Sequence, residues 1–582
     1  MTLKKSPSFP FRHHALALAI ALASPAMQAA NINVSGSCTL YNAIKNADSD
    51  TDTDGAGFGC PAGSGADVIN LSRKSTHSLL GAGSEDGLPI INSIVTINGN
   101  LSTVDALGLR AFHISNTGNL SINKLAIKNG SARKGAGILN SGQLTLNDST
   151  VSGNNSTTDC DYYCFGSYGG GIFNSGTATL TNSRIMGNKA YAGYSINGDS
   201  GRGGGIFNEG TMSLTRSKVL KNETIGSSYR GDGPLGGGIM NYGTMTITNS
   251  SISGNTASNG GGGILNRSQM TLTNSTVSGN TSNSGGGIYN GHFLGIFDNN
   301  LTIDNSTVAN NKAAGGAGIH NAKNLTMANT TVSGNKASNS GGGIVNKGNL
   351  TVNHSTLSGN HSLKSKGGGI FNLSKITLSN TLIANSGNGG DCVNSSGGKT
   401  SLKGINLAED GSCGADIAGD PKLGLLLDNG GATATQALLL DSPALDVANK
   451  FLCASLDQRG IKRPQPIGGG CDIGAFERIT STPNNIKKVL EFFGNTLTSG
   501  GIVGIGNINQ ANQRSLALRN QLLSAGQYKN QNLGSEACAQ LSRTLLHIDT
   551  NNNPDGNDYI TGIQAQALVA EISPLFSLWN CQ

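Results

Sequence analysis

The chain has 582 residues, of which 36% are hydrophobic, 5% aromatic and 13% charged, with 86 glycines and only 13 prolines. Glycine without a three-residue period excludes collagen. Regularly spaced Ile, Val and Thr with little net charge argue against disorder. What remains is a repetitive, β-rich chain built mainly of Asn, Gly, Ser and Thr.

Residues 1–30 place Lys4, Lys5 and Arg12 ahead of the apolar run Ala15 to Ala23, followed by the small residues Ser24 to Ala30. That is the layout of a secretory signal peptide. No later segment has the apolar length to span a bilayer. Removing the signal takes the formal charge from +6 to +3, which leaves no electrostatic case for nucleic acid. Ten cysteines fall in near-neighbour pairs, Cys38/Cys60, Cys160/Cys164, Cys392/Cys413, Cys453/Cys471 and Cys538/Cys581. In an oxidising compartment such pairs are expected to form disulfides, although spacing alone does not fix connectivity.

Residues 31–87 are expected to cap the first turns of the structure. They contain Asp50-Thr51-Asp52-Thr53-Asp54-Gly55, whose alternating carboxylates and glycine suit a calcium loop. The twelfth position is Pro61 rather than an acid, so the pattern is not an EF-hand. Calcium through Asp50, Asp52 and Asp54 is the only cofactor this segment suggests. A similar stretch, Asp549 to Asp558, also lacks the closing acid.

Residues 88–390 carry the repeat. A glycine-rich turn followed by Ile, one variable residue and Asn occurs nine times, ending at Asn140, Asn174, Asn208, Asn241, Asn266, Asn290, Asn321, Asn346 and Asn372. The separations of 34, 34, 33, 25, 24, 31, 25 and 26 residues give a base period near 25, with insertions in the longer units. A second polar position lies eight residues after most motif asparagines, as at Asn249 and Asn274, and a third Asn six residues beyond it, as at Asn255 and Asn280. Between these marks apolar residues alternate with Thr or Ser, the period of strands with one buried face. Three short strands and three Asn- or Gly-bearing corners per unit predict one coil of a parallel β-helix. Ile138 through Ile370 should then form a single interior ladder.

This repeat resembles the right-handed parallel β-helix family of secreted bacterial proteins, and its GGGI-x-N motif is similar to that of polymorphic outer-membrane proteins. Cys38-Thr39-Leu40-Tyr41-Asn42-Ala43-Ile44 resembles the CSLREA motif, departing at Tyr41 and Asn42. Within 391–477, Asp420-Pro421-Lys422-Leu423-Gly424, Asp428-Asn429-Gly430-Gly431, Asp457-Gln458-Arg459-Gly460 and Cys471-Asp472-Ile473-Gly474-Ala475-Phe476-Glu477 resemble the choice-of-anchor Q domain. The resemblance implies an exported, surface-displayed β-helix whose far end is closed by 391–477; it implies no reaction. Asp457, Arg459, Asp472 and Glu477 are expected to form a structural Arg–carboxylate network. Residues 478–582 have helical periodicity and predict a small helical domain, stapled by Cys538 and Cys581. The expected fold is therefore all-β, a right-handed parallel β-helix with disulfide-clamped caps and a small C-terminal α-helical domain.

Catalysis on such a scaffold wants clustered carboxylates. Residues 135–390 contain nine acids, and only Asp159 and Asp161 are separated by a single residue. The expected function is thus a non-catalytic, adhesin-like solenoid that binds polysaccharide or a cell-surface protein, outside the cell or in the periplasm. A polysaccharide lyase or glycoside hydrolase, and a structural surface or matrix protein, are the alternatives. Insertions at 157–168, 189–202 and 224–235 fall in successive coils and gather Tyr162, Tyr163, Phe165, Tyr168, Tyr191, Tyr194 and Tyr229. In a chain so poor in aromatics, these tyrosines mark the expected ligand-contact patch.

Overall fold

The computed structural model describes residues 29–52, 59–80, 85–157, 166–191, 200–226, 233–291, 299–364, 366–466, 468–480, 483–551 and 553–581. The segment expected to be an export signal, apart from its last two residues, lies outside them.

Successive repeats stack as coils of a parallel solenoid. The Ile-x-Asn segments form an eleven-stranded sheet running from Phe112–Ile114 to Cys392–Asn394. Ile264 pairs in register with Ile239 on one side and Ile288 on the other, and the same holds along the file from Ile138 to Ile370. Every isoleucine in that file is fully buried. Five-residue strands such as Gln269–Thr273 and three-residue strands such as Thr276–Ser278 supply the other interior ladders. Leu272 and Val277 point inward beside Ile264 and bury completely.

Each coil has a fourth paired stretch beyond the three expected, such as Lys189–Tyr191 or Lys336–Ser340. These stretches are mostly two or three residues long, too short for any alternation to reveal them.

The asparagines do three different jobs. The motif asparagines point inward, not into corners as the sequence suggests, because Ile and Asn two residues apart share a strand face. Asn241 Nδ2 donates to Asn266 Oδ1 at 2.9 Å and to the Gln269 carbonyl at 3.1 Å, so the ladder ties each strand to the turn below it. The second position is the true corner. Asp148, Asn182, Arg216, Asn249, Asn274, Asn305, Asn329, His354 and Asn380 all have φ between 41° and 51°, where Asn is the least strained non-glycine residue. The third Asn is buried, and its carboxamide oxygen accepts two bonds from the preceding coil. Asn222 N and Nδ2 both donate to Asn255 Oδ1, at 2.9 and 3.0 Å. Asn154 also belongs to this file. Beside it runs a hydroxyl ladder, Ser149 to Thr381, in which Ser217 N donates to Ser250 Oγ and Ser250 N to Ser275 Oγ.

Turn glycines divide their work too. Gly261 has φ +65°, whereas a Cβ on Gly262 would sit 2.5 Å from the Gly286 and Thr281 carbonyl oxygens, and one on Gly263 would press the Asn280 amide. The first glycine is needed for backbone sign and the next two for close approach.

At the N-terminal end, helix α1 (Leu40–Ser49) starts on Thr39, whose hydroxyl accepts from Asn42 N, and lays Leu40, Ala43, Ile44 and Ala47 onto the first coils. Cys38 and Cys60 are bonded, as are Cys392–Cys413, Cys453–Cys471 and Cys538–Cys581. Cys160 and Cys164 lie outside the described residues.

The first part of the expected end-cap extends the coils, with Cys392–Asn394, Lys399–Lys403 and Leu407–Ala408 pairing onto the last rungs, but the rest departs from it. Residues 433–476 fold back along the flank of the shaft. Thr433 Oγ1 donates to the Asn305 carbonyl, Gln458 bonds Thr307 and Thr331, Ala475 N donates to Thr356 Oγ1, and Gly474 N donates to the Asn380 carbonyl. The strands Thr307–Ala309, Thr331–Ser333, Thr356–Ser358 and Leu382–Ala384 are consequently buried at all three positions. Their uncovered equivalents, Thr150–Ser152 and Thr276–Ser278, bury only the central residue. Outward Thr and Ser side chains satisfy a docked chain as readily as water, so nothing in their sequence distinguishes the covered coils.

Two fully buried ion pairs hold this segment, Arg459–Asp457 at 2.8 Å and Arg463–Glu477 at 3.1 Å. The helices α2 (Lys487–Thr498), α3 (Ile508–Asn530), α4 (Gly534–Leu545) and α5 (Ala565–Leu578) pack onto it rather than hanging from a linker. Tyr528 donates its hydroxyl to the Arg459 carbonyl, and Gln521 Nε2 donates to the Asp428 carbonyl at 2.7 Å. Among the described residues no helix is long and apolar enough to cross a membrane.

Two buried histidines give the fold an acid limit. Burial holds His320 and His354 down to about 3, assisted by Lys347 and Arg463 respectively. In the unfolded chain each binds a proton below about 6.5, so their contribution is complete above that pH and is lost as pH falls toward 3. Each histidine should add a slope approaching 1.4 kcal/mol per pH unit within that window. Denaturant titrations from pH 7 to pH 4 should show the slope, and His354→Asn, which restores the corner residue of other coils, should reduce it.

Candidate functional site

The variable residue of each Ile-x-Asn strand points away from the interior, yet it is seldom polar. Leu139, Phe173, Phe207, Met240, Leu265 and Tyr289 succeed one another on the outer face of the eleven-stranded sheet. Phe173 and Phe207 stack at 5.3 Å and 14°, both almost fully buried. Tyr168 meets Phe207 edge-on at 5.1 Å, and Tyr242 lies 5.5 Å from Phe207 on the other side. Cations border these rings. Lys134 Nζ is 4.7 Å from the Phe173 centroid and 5.7 Å from that of Tyr168, and Arg202 Cζ is 5.8 Å from Tyr168. Such distances fall in the range of cation–π attraction.

The result is a cleft of about 340 Å³ lined by Arg133, Lys134, Tyr168, Phe173, Arg202, Phe207, Glu209 and Tyr242. Backbone register builds it, because Lys134, Tyr168, Arg202 and Leu235 are bridged in succession across four coils. A second cleft of about 510 Å³ continues it toward the N-terminal end and shares Arg133 and Lys134. There Arg110, nearly buried, is paired with Glu85 at 2.9 Å and with Asp86, whose other oxygen meets His113 Nδ1 at 2.9 Å. Burial works to raise the Asp86 carboxyl, but hydrogen bonds from His113 and Arg110 outweigh it and hold it below the usual range. Together the clefts form a groove along the shaft, spanning from His113 to Tyr242 about four coil spacings, or about 19 Å.

Of the expected tyrosines, Tyr168 is at the heart of this groove. Tyr191 is exposed on the neighbouring stretch and does not line it. Tyr162, Tyr163, Tyr194 and Tyr229 lie outside the described residues. The insertions that carry them nevertheless leave and re-enter at stacked positions, since Ser156, Ala190 and Thr224 pair in register, as do Tyr168, Arg202 and Leu235. Sequence reasoning missed Phe173, Phe207 and Tyr242; the recurrence of an apolar or aromatic residue between Ile and Asn was the signal that could have found the first two. The Asp86–His113 pair carried no such signal, because 27 residues of unrelated spacing separate its members.

For the calcium loop, Asp50 is the left-handed C-cap of α1 and its carboxylate accepts from Gly65 N at 2.9 Å. Asp52 is exposed and Asp54 lies outside the described residues. Asp549 turns its carboxylate onto Asn551 N, Asn553 N and Thr561 Oγ1. Among the described residues no three His, Cys, Asp or Glu side chains are grouped to hold a metal ion.

Residues 172–357 match the family model described as the right-handed beta helix region. The match covers the coils that build the lower part of the groove, and with the register above it makes the fold a right-handed parallel β-helix. No curated protein matches the chain. Among solved structures it is similar to the crystal structure of pectate lyase Pel9A, at 13% identity and a TM-score of 0.36, over 73% of this chain and 93% of that one.

Proposed function

We propose that the protein is an exported β-helix that binds a polysaccharide along the outer groove of its Ile-x-Asn sheet. One observation carries this reading: the half-buried rings of Tyr168 and Tyr242 flank the buried Phe173–Phe207 stack, bordered by Lys134 and Arg202, in a cleft along the shaft. Ring faces take the CH faces of sugars, and the flanking polar groups take hydroxyls. Export is supported by the signal-like residues 1–30 and by four disulfides. The CSLREA-like and choice-of-anchor Q-like segments support display at the cell surface. We take the chain as a signal at 1–30, a cap at 31–87, coils at 88–390, a disulfide-clamped segment at 391–477 and a helical domain at 478–582.

A glycan array probed with the oxidised, full-length secreted chain tests the reading. Tyr168→Ala should weaken binding at least tenfold while the far-UV circular dichroism stays unchanged. Unaltered binding would remove the groove from consideration. A second reading, a carbohydrate-active enzyme, draws on the Asp86–His113 pair at the upper end of the same groove. Release of reducing ends or unsaturated products during the same incubations, abolished by His113→Ala, would favour it.

A further inference from the structure

We infer that the exported chain is cut between Ala29 and Ala30, and that the α-ammonium group freed on Ala30 pairs with the buried carboxylate of Asp67. The inference rests on the export reading and adds the processing site and its structural purpose.

Asp67 stands where every neighbouring coil is apolar. It lies on the strand Ala66–Leu71, whose buried positions are Asp67, Ile69 and Leu71. In-register pairing aligns it with Val95, and the file continues through Leu120, Leu144, Ala178 and Met212. All five are buried in the core of the shaft. Asp67 itself is 1% exposed. Its Oδ1 accepts from Ala30 N at 3.0 Å and from Ser64 N at 2.8 Å, while Oδ2 has no hydrogen-bond partner among the described residues. The backbone packs directly onto that oxygen, since a Cβ on Gly63 would meet it at 2.7 Å. A carboxylate buried on two neutral donors is a costly interior group.

The missing cation is one bond cleavage away. Asn31 pairs with Val68, which sets Ala30 opposite Asp67, and the Ala30 carbonyl accepts from Val68 N at 2.9 Å. Hydrolysis of the Ala29–Ala30 bond by the peptidase that removes export signals consumes one water. Its hydroxyl goes to the Ala29 carbonyl carbon, while the Ala30 nitrogen takes the remaining proton and that of the new acid. The products are a carboxylate on Ala29 and an ammonium on Ala30, whose ordinary pKa is about 7.7–8.0. A nitrogen already against Asp67 thereby gains a charge and two further donors.

Small residues at Ser24, Ala26, Ala29 and Ala30 let several bonds fit the cleavage rule. A cut after Ala26 leaves a neutral amide at Ala30 and the carboxylate unmatched. A cut after Ala30 strips Asp67 of one donor and Val68 N of its acceptor. The cut after Ala29, one residue before the boundary taken above, keeps the strand and supplies the charge.

The test uses the full chain secreted by a bacterial host. Intact mass and N-terminal sequencing should give Ala30 as the first residue. Acetylation by an N-hydroxysuccinimide ester at about pH 7 should modify its α-amine at least tenfold more slowly than in the urea-unfolded chain. Asp67→Asn should raise the folded-state rate severalfold; Asp67→Leu, the residue of neighbouring coils, serves if the Asn variant fails to fold. A first residue at Met27 or Asn31 overturns the inference and leaves export intact. Equal reactivity of the amine in parent and variant overturns the pairing, since a carboxylate that only accepts main-chain N–H groups would leave the amine unchanged. A chain retained inside the cell with Met1 in place overturns both readings.

Discussion

Asn255→Ala is expected to cost the shaft about 4 kcal/mol, a loss seldom seen for a single polar residue. Asn255 is completely buried, and its amide serves three coils at once. Its Oδ1 accepts from Asn222 N and Nδ2, and its Nδ2 donates to the Val219 carbonyl and to Asn280 Oδ1, each at 2.9 to 3.0 Å. Truncation leaves Asn222 N without a partner and shortens the supply to Asn222 Nδ2 and Val219 O. A buried polar group left unmatched costs roughly 1–3 kcal/mol, and the void adds the contacts of the lost atoms. Asn249→Gly is the matching control. That residue sits at an exposed corner with φ 50°, which glycine adopts freely, so a change within about 0.5 kcal/mol is expected. Urea unfolding followed by far-UV circular dichroism measures both. Similar losses for the two would overturn the division of roles among the asparagines.

Arg459→Met should cost about 3–5 kcal/mol by stranding the Asp457 carboxylate. Asp457 and Arg459 are both excluded from solvent. The guanidinium donates to Asp457 and to the carbonyls of Asn429 and Glu477, and it lies 3.7 Å from the Phe476 ring. Asp457 in turn accepts from the main-chain N–H groups of Arg459, Ile461 and Glu477. Arg459→Lys should rescue little, since an ammonium cannot reproduce a planar fork. Asp457→Asn/Arg459→Met should recover part of the loss by removing the orphaned charge. The buried Trp579, the only tryptophan, reports the docked helices, and proteolysis reports release of 433–476 from the flank. A variant whose fluorescence and proteolysis match the parent would contradict the account.

The coils were legible because a stacked structure writes its register into the chain. Ile recurs where a ladder needs a β-branched interior residue, and three glycines recur where one turn needs a positive φ and two close approaches. Which asparagines face inward could not be read the same way, because the motif and third positions both hold Asn throughout; only the corner position, which also accepts Asp148, Arg216 and His354, betrays its different role. The course of 433–476 was hidden for a related reason: Thr307, Thr331 and Thr356 look like ordinary solvent-facing threonines until Gln458 and Ala475 meet them. Of the candidate site, Tyr168 was read from sequence, through the concentration of tyrosines in the insertions, while Phe173 and Phe207 were missed although they recur between Ile and Asn. Lys134, Arg202 and the Asp86–His113 pair could not be read, because only the coil-to-coil alignment, with its insertions of unequal length, brings them together.

The strap along the flank also governs how this protein can change its length. Recombination between near-identical units could add or delete a coil between about residues 144 and 290, where, among the described residues, the outward positions of the flank strands stay only half-buried, outside the strap. Between Asn305 and Ala384 the same event would slide every rung past the strap by one step of about 4.8 Å and mismatch all its hydrogen bonds together. Natural size variants of this chain should therefore differ in the upper shaft, where the groove lies, and keep a constant number of rungs beneath the strap.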